Sequence, residues 1–414
     1  MLYKSIIQNN VTVYSIFFPT SITIKLTNSC NLNCSFCSQG DAKNVCLDVD
    51  VVKQILDEAK LYGVYEIIYT GGEPLLYSHI SEVLRYGKEL GFHQILVTNG
   101  VNLEHCIEEI IAYVDNIGIS IHGNETVHDS IVGKVGTYRK VVSNIKRIYK
   151  AETKPYITLN FTISDNNIEC IEDVIQLSNS YGCHLCVARL NKIGRAEKNE
   201  DIANTVGKFL EQLVEDNLIK VSNVIPLCQM PKKYQHLCHS CSAGIASVCV
   251  EANGDVKMCA SSSKSYGSVK ENSLYEIWNN LEFTKFRSLK WLPDLCKTCR
   301  YFAQCLWGCK AENNRHLFTK SKDCLVTQAV ELFYEQCTQK RLVINFGEVR
   351  RVGREYLLIG RPNRIVDEEG FHILKQLMKT KNFEDYIQKL DEEKKVETVE
   401  FLYAMYRDGL LTFE

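Results

Sequence analysis

The sequence lacks an uninterrupted apolar run of about 18 residues, the length that a membrane-crossing helix requires, so a membrane protein of that kind is not expected. Its first residues, MLYKSIIQNNVTVYSIFF, contain no compact apolar stretch followed by a small-residue cleavage site. An uncleaved, cytoplasmic protein is the expectation. A dominant charge is also missing: 48 Lys and Arg against 50 Asp and Glu leave a net charge of -2, which gives no signal for nucleic acid. There is no internal repeat and no low-complexity segment, and 45% hydrophobic with 24% charged residues excludes a disordered or collagen-like chain. The last absence is local, since residues 338–414 hold no cysteine.

Cysteine is abundant elsewhere. The 414 residues carry 19, and residues 228–337 hold 11 of them. Disulfides are rare in a reducing compartment, so metal or cluster ligation is the better use for so many thiols. The length suggests two or three domains, and the cysteines divide the chain into three regions, 1–220, 221–338 and 339–414.

In the first region short β-branched runs alternate with helical periods. Strands are expected at Ser21–Thr27, Tyr65–Thr70, Gln94–Thr98, Asn116–Ile121, Tyr156–Ile163 and Cys183–Arg189, with five helical stretches between them. Regular β-α alternation predicts an α/β fold with a parallel sheet. Six such units make a partial (β/α)6 barrel with functional residues at the carboxyl ends of the strands. The second region is poor in periodic segments, but VCVEANGDVKMC alternates around Asn253-Gly254 and predicts a hairpin. In the third region, short strands at Leu342–Phe346, Tyr356–Ile359 and Arg364–Val366 precede three helices, which suggests a small winged-helix-like α+β domain.

The first strand runs into Cys30-Asn-Leu-Asn-Cys34-Ser-Phe-Cys37. Three thiolates in one loop suit three irons of a [4Fe–4S] cluster, leaving the fourth iron open to a ligand; the spacing alone is also compatible with a zinc site or reduced buried thiols. The second strand ends in Gly71-Gly72-Glu73-Pro74, where two glycines allow close approach to the backbone and Glu73 offers a carboxylate for an ammonium group. In these two motifs the sequence resembles the radical SAM superfamily. The resemblance implies that S-adenosylmethionine chelates the open iron and, after one-electron reduction, yields a 5′-deoxyadenosyl radical that abstracts a substrate hydrogen. It also implies cofactor contacts from Asn99, Ser120 and Asn160 at later strand ends, and packing of Phe36 near the adenine. One position departs from the pattern: in His128-Asp129-Ser130-Ile131-Val132-Gly133-Lys134, relatives often have arginine where Val132 stands, and Lys134 differs from arginine in geometry.

Cys241, Gly254 and Cys259 fit C-x12-G-x4-C, while Cys296, Cys299, Cys305 and Cys309 fit C-x2-C-x5-C-x3-C, followed by Cys324. This register resembles the SPASM domain of radical SAM peptide-modifying enzymes and implies two auxiliary [4Fe–4S] clusters, three clusters in all. Carried over, Cys241, Cys259 and Cys309 would bind auxiliary cluster I. Cys296, Cys299, Cys305 and Cys324 would bind auxiliary cluster II. The fourth ligand of cluster I is Cys238, Cys228 or none. Cys46, Cys106, Cys170, Cys183, Cys186, Cys249 and Cys337 read as small packing residues.

Residues 341–414 resemble the leader-binding recognition element of ribosomal-peptide biosynthesis, where an extended leader adds to a sheet edge. Together the resemblances imply a maturase that forms a thioether or other side-chain cross-link in a precursor peptide, drawing electrons from a donor such as flavodoxin or ferredoxin. Two alternatives stand beside it. A sulfatase-maturing relative would carry an aspartate where Ala260 follows Cys259. A catalytically silent peptide-binding protein would use its clusters as redox sensors. No general base is evident from the sequence.

Overall fold

A computed structural model describes residues 17–40, 44–190, 194–198, 219–221, 241–288, 333–338, 342–352, 355–359, 364–380, 383–407 and 410–413. The chain divides into two compact units. One comprises Phe18–Asn223 with Ser242–Thr284, and the other Lys285–Glu414 with Met1–Phe17 and Val224–Cys241. Residues 242–284 thus share a unit with the first region, across the domain boundary expected at 220.

The first unit is a ten-stranded sheet. Strands β1 (Ser21–Thr27), β2 (Glu66–Gly71), β3 (His93–Thr98), β4 (Asn116–Ser120), β5 (Tyr156–Ile163) and β6 (His184–Arg189) lie side by side in sequence order, each parallel to the next. β7 (Ile219–Val221) continues beyond β6. At the opposite side β8 (Ser247–Val250) runs parallel to β1, followed antiparallel by β9 (Asp255–Lys257) and β10 (Ser265–Ser268). Helices α1 (Val49–Leu61), α2 (Ile80–Glu89), α3 (Ile107–Tyr113), α4 (Glu125–Val132), α5 (Thr137–Tyr149) and α6 (Ile171–Ser180) connect the parallel strands. This is a partial-barrel arrangement of the parallel α/β kind. The expected strands all form, and α4 is a helix additional to the five expected stretches.

Strand periodicity separates two faces. In β5, Ile157, Leu159, Phe161 and Ile163 are buried, whereas Thr158, Asn160 and Thr162 are half-buried on the opposite face. The helices bury 3.6-period stripes, such as Val52, Ile55, Leu56 and Ala59 of α1 or Val141, Ile145 and Ile148 of α5. A buried polar knot fixes one such packing. Tyr69 Oη donates to Gln94 Oε1, and Gln94 Nε2 donates to the carbonyls of Leu84 and Tyr113, each at 2.7–2.9 Å. A side chain at Gly87 of α2 would overlap the Gln94 amide, so the helix approaches the strand closely only with glycine there.

The hairpin read from VCVEANGDVKMC forms between β8 and β9, with Gly254 in the left-handed region (φ 95°) and its N–H donating to Glu251 O at 2.9 Å. Among the described residues no helix is long and apolar enough to cross a membrane.

In the second unit, β12 (Glu348–Val352), β13 (Glu355–Ile359) and β14 (Arg364–Val366) form an antiparallel sheet, followed by helices Glu368–Thr380, Phe383–Ile387 and Glu392–Arg407. The strand expected from Leu342 is β11 (Leu342–Ile344), and it lies outside this sheet, pairing with β15 (Leu411–Phe413). Its place is taken by Glu348-Val349-Arg350-Arg351-Val352, whose charges suit a solvent-facing edge.

Candidate active site at the strand carboxyl ends

The three cysteines Cys30, Cys34 and Cys37 lie in the loop that leaves β1. That loop is tied down by main-chain groups from three directions. From β2, Gly72 N–H donates to Thr27 O at 2.6 Å and Glu73 N–H to Ser29 O at 2.8 Å. At the end of α4, the carbonyls of Val132 and Ile131 accept from Asn33 N–H and Ser35 N–H at 3.0 and 2.9 Å. Beyond β6, Arg195 N–H donates to Cys37 O at 3.0 Å.

The two glycines of the β2 exit serve this docking. A side chain at Gly71 would overlap Thr27 O, and one at Gly72 would overlap the carbonyls of Asn28 and Ser29. The sequence reading assigned that closeness to a ligand; in the fold the cysteine loop itself approaches.

Glu73, the expected ammonium-holding carboxylate, turns its oxygens into the fold. It is fully buried, and its oxygens accept from Thr98 Oγ1 (2.5 Å), Asn99 N–H (2.8 Å) and Leu75 N–H (3.1 Å). Burial pushes its carboxyl up to about 7, opposed by those three donors. Its part is to fix Asn99, whose Nδ2 donates to Asn31 Oδ1 at 2.8 Å and lies 3.9 Å from Cys30 Sγ. Thr98, the hydroxyl between Glu73 and Gly100 N–H, was not singled out in the sequence; its place just before the Asn99-Gly100 turn was the available signal.

The thiols sense one another. Cys34 is pushed up to about 12, chiefly by burial and then by the charges of Cys30 and Cys37. Burial likewise raises Cys30, with Glu73 adding to the rise. Such thiols become thiolates when a cation joins them. Among the described residues no three His, Cys, Asp or Glu side chains are gathered closely enough for a single metal ion. Three thiols on one tied loop, Cys30 being exposed, fit a polynuclear group.

Ser120 and Asn160 meet in the sheet register, and Cys186 of β6 continues the same row, so all three occupy the half-buried polar face, with Ser120 at the end of its strand. Gly118 leaves the space that the Asn160 amide fills. Phe36 packs edge-on against His122, with ring centroids 4.9 Å apart, and His122 stacks with His128 at 5.9 Å. Both histidines are buried and held neutral: burial pushes His122 down to about 3 and His128 to about 4. His128 Nδ1 accepts from His122 N–H at 3.1 Å. Asp129 accepts from Gly136 N–H and Tyr138 N–H, at 2.6 and 2.8 Å. The His128–Lys134 segment is thus a scaffold behind the cysteine loop. Val132 contributes its carbonyl and a buried side chain, and Lys134 is exposed.

Of the second cysteine set, Cys241 and Cys259 are half-buried. Cys228, Cys238, Cys296, Cys299, Cys305, Cys309 and Cys324 lie outside the described residues. Cys249 is fully buried in β8, as its packing role requires. Next to Cys259, Ala260 O accepts from Lys25 Nζ of β1 at 3.1 Å.

Residues 24–178 match the profile of the radical SAM superfamily, and residues 231–300 match SPASM, an iron–sulfur cluster-binding domain. The chain is a radical SAM enzyme with a SPASM domain. It is 29% identical over 322 residues to the AdoMet-dependent heme synthase of Methanosarcina barkeri, covering 71% of this chain and 91% of that protein. Its identity to the PqqA peptide cyclase of Rhodopseudomonas palustris is 27% over 327 residues, 71% of this chain and 82% of the cyclase. Among solved structures, Streptococcus suis SuiB bound to S-adenosylmethionine is similar at 18% identity and a TM-score of 0.60, covering 74% of this chain and 77% of SuiB. The AdoMet-bound anSMEcpe is similar at 18% identity and a TM-score of 0.56, covering 77% of this radical SAM chain and 96% of the other. The fold likeness bears on the barrel architecture derived above.

Proposed function

We propose that this radical SAM enzyme is a peptide maturase organised in three regions. Residues 1–220 hold the catalytic barrel, residues 221–338 the auxiliary clusters, and residues 339–414 the substrate leader. Cys30, Cys34 and Cys37 would hold the first [4Fe–4S] cluster, with S-adenosylmethionine bound beside it. When bound, that pair supplies one-electron chemistry able to remove hydrogen from an unactivated carbon. The chain's own part is positional. Glu73 fixes Asn99 beside Cys30, Ser120 and Asn160 offer polar groups on one face, and Phe36, braced by His122, forms an apolar wall for an adenine. The second cysteine set, with Cys241 and Cys259, would hold two auxiliary clusters, which would supply an electron acceptor or a thiolate-binding iron for forming a thioether or other cross-link.

The observation that carries the reading is the coupling of two features: a cysteine loop tied at the strand ends, and a cysteine-flanked hairpin that extends the same sheet through β8 beside β1. The C-terminal unit adds β14, a short strand at the edge of a three-stranded sheet, to which a leader peptide can add. Heme-synthase-like chemistry on a porphyrin side chain is the second reading, favoured by the 29% relative. Against it, more than a quarter of this chain lies outside the part shared with that protein.

Reconstituted protein is expected to hold about twelve irons, four per cluster, to form 5′-deoxyadenosine after reduction by flavodoxin or ferredoxin, and to modify a coexpressed leader-bearing precursor peptide. A cross-link lowers peptide mass by two hydrogens. Removal of residues 339–414 is expected to abolish peptide modification while leaving slow, peptide-independent 5′-deoxyadenosine formation. Turnover of a porphyrin with no change in any peptide would replace this reading with the second.

A further inference from the structure

Arg195 follows the exit of β6, far in sequence from the cysteine loop, yet it holds that loop at three carbonyls. Its Nη1 donates to Cys34 O at 2.7 Å, its Nη2 to Gly40 O at 3.2 Å, and its main-chain N–H to Cys37 O at 3.0 Å. The preceding Gly194 has φ 58°, and a side chain there would overlap Cys37 O, so the close approach depends on the Gly-Arg pair. The loop's own turns, Cys37 N–H to Cys34 O and Gly40 N–H to Cys37 O, share these same acceptors. One side chain therefore spans the loop from Cys34 to Gly40.

We propose that Arg195 is a positioning residue for the first cluster, clamping the loop that carries Cys34 and Cys37 and keeping a fixed positive charge beside it. The inference rests on the reading that these cysteines hold a cluster. Arginine suits both tasks, since its planar, positively charged fork reaches two carbonyls at once. One-electron reduction adds negative charge to a thiolate-ligated cluster, so a neighbouring cation stabilises the reduced form.

The test is an EPR-monitored reductive titration of the cluster signal that changes on adding S-adenosylmethionine, with iron analysis alongside. R195Q removes the charge and is expected to lower the equilibrium constant for reduction roughly tenfold, which is 59 mV for a one-electron couple. R195K keeps the charge without the fork and is expected to titrate near wild type while losing iron faster to a chelator. Wild-type titration of fully loaded R195Q, or an R195K midpoint as low as that of R195Q, overturns the proposal. If R195Q sheds the cluster, R195K alone decides: a wild-type midpoint supports the charge, and a fall of the size expected for R195Q overturns it. A wild-type protein with no signal responsive to S-adenosylmethionine overturns instead the cluster reading on which the inference rests.

Discussion

Lys25 of β1 and Glu251 of the β8–β9 hairpin form an ion pair of 2.9 Å with side chains only 3% and 9% exposed. The same ammonium donates to Ala260 O, so one buried charge ties the first barrel strand to the residue after Cys259. Lys257 Nζ lies 3.4 Å from the same carboxylate oxygen and is partly exposed. Breaking a buried pair from one side leaves an uncompensated charge. K25M is therefore expected to destabilise the barrel unit by about 2–4 kcal/mol, Lys257 supplying partial compensation. The double variant K25M/E251M is expected to recover at least half of that loss, read as the urea midpoint of each protein.

Gly72 makes a sharper claim about the first cluster. Alanine there meets the carbonyls of Asn28 and Ser29, which belong to the main chain and cannot rotate away. G72A is expected to displace the cysteine loop, at a cost of about 1–3 kcal/mol, and to lower the iron content by about four per chain. Auxiliary iron is expected to remain. Iron analysis with EPR checks both, and a G72A protein with full iron and a wild-type response to S-adenosylmethionine would refute the docking role.

Glu73 acts through Asn99, so its substitution tests positioning. In E73Q an amide donor replaces one carboxylate oxygen and faces an N–H group where an acceptor is needed. T98V removes the hydroxyl that donates to Glu73 Oε1 and accepts from Gly100 N–H. Each is expected to lower 5′-deoxyadenosine formation by about 10–100-fold, the usual loss for groups that orient metal-site residues. The iron content of T98V is expected to stay full, because none of the loop ties runs through Thr98.

The barrel was legible because its signals are local. Alternation marked the six parallel strands β1 to β6, and Asn253-Gly254 marked the hairpin. The motif cysteines and the two glycines announced a site through spacing alone. What escaped the sequence was the direction in which side chains turn. Glu73 reads as an available carboxylate, but Thr98 of β3 and Asn99 of the following turn join the neighbouring Leu75 N–H in drawing it inward, and those first two donors are 25 and 26 residues away. Lys25 stands alone in the apolar run SITIKLT, a visible anomaly whose partner lies 226 residues on. Glu348-Val-Arg-Arg-Val352 was missed as a strand because its charges mimic a loop, although an edge strand tolerates them. Helix α4, absent from the expected stretches, is short, with Asn124 capping Val127 N–H, and its polar His128 and Asp129 are buried only by tertiary packing.

The buried pair His122 and His128 makes stability depend on pH. Both are held neutral, with folded values pushed by burial to about 3 and about 4 against an unfolded value of 6.5. Below pH 6.5 the unfolded chain takes up protons that the folded chain refuses, so the stability present above 6.5 is lost as pH falls through 6 and 5. Glu73 has the opposite sign: its raised value favours the folded state at low pH, and that contribution is lost as pH rises from 4.5 to about 7. Comparing wild type with H128N cancels the Glu73 part, and asparagine can still accept from His122 N–H. Between pH 7.5 and 5.0 the wild type is expected to lose about 2 kcal/mol more than H128N, from 1.36 kcal/mol per unit over the 1.5 units below 6.5. Urea titrations at the two pH values check this, and equal losses in the two proteins would show that His128 is protonated in the fold.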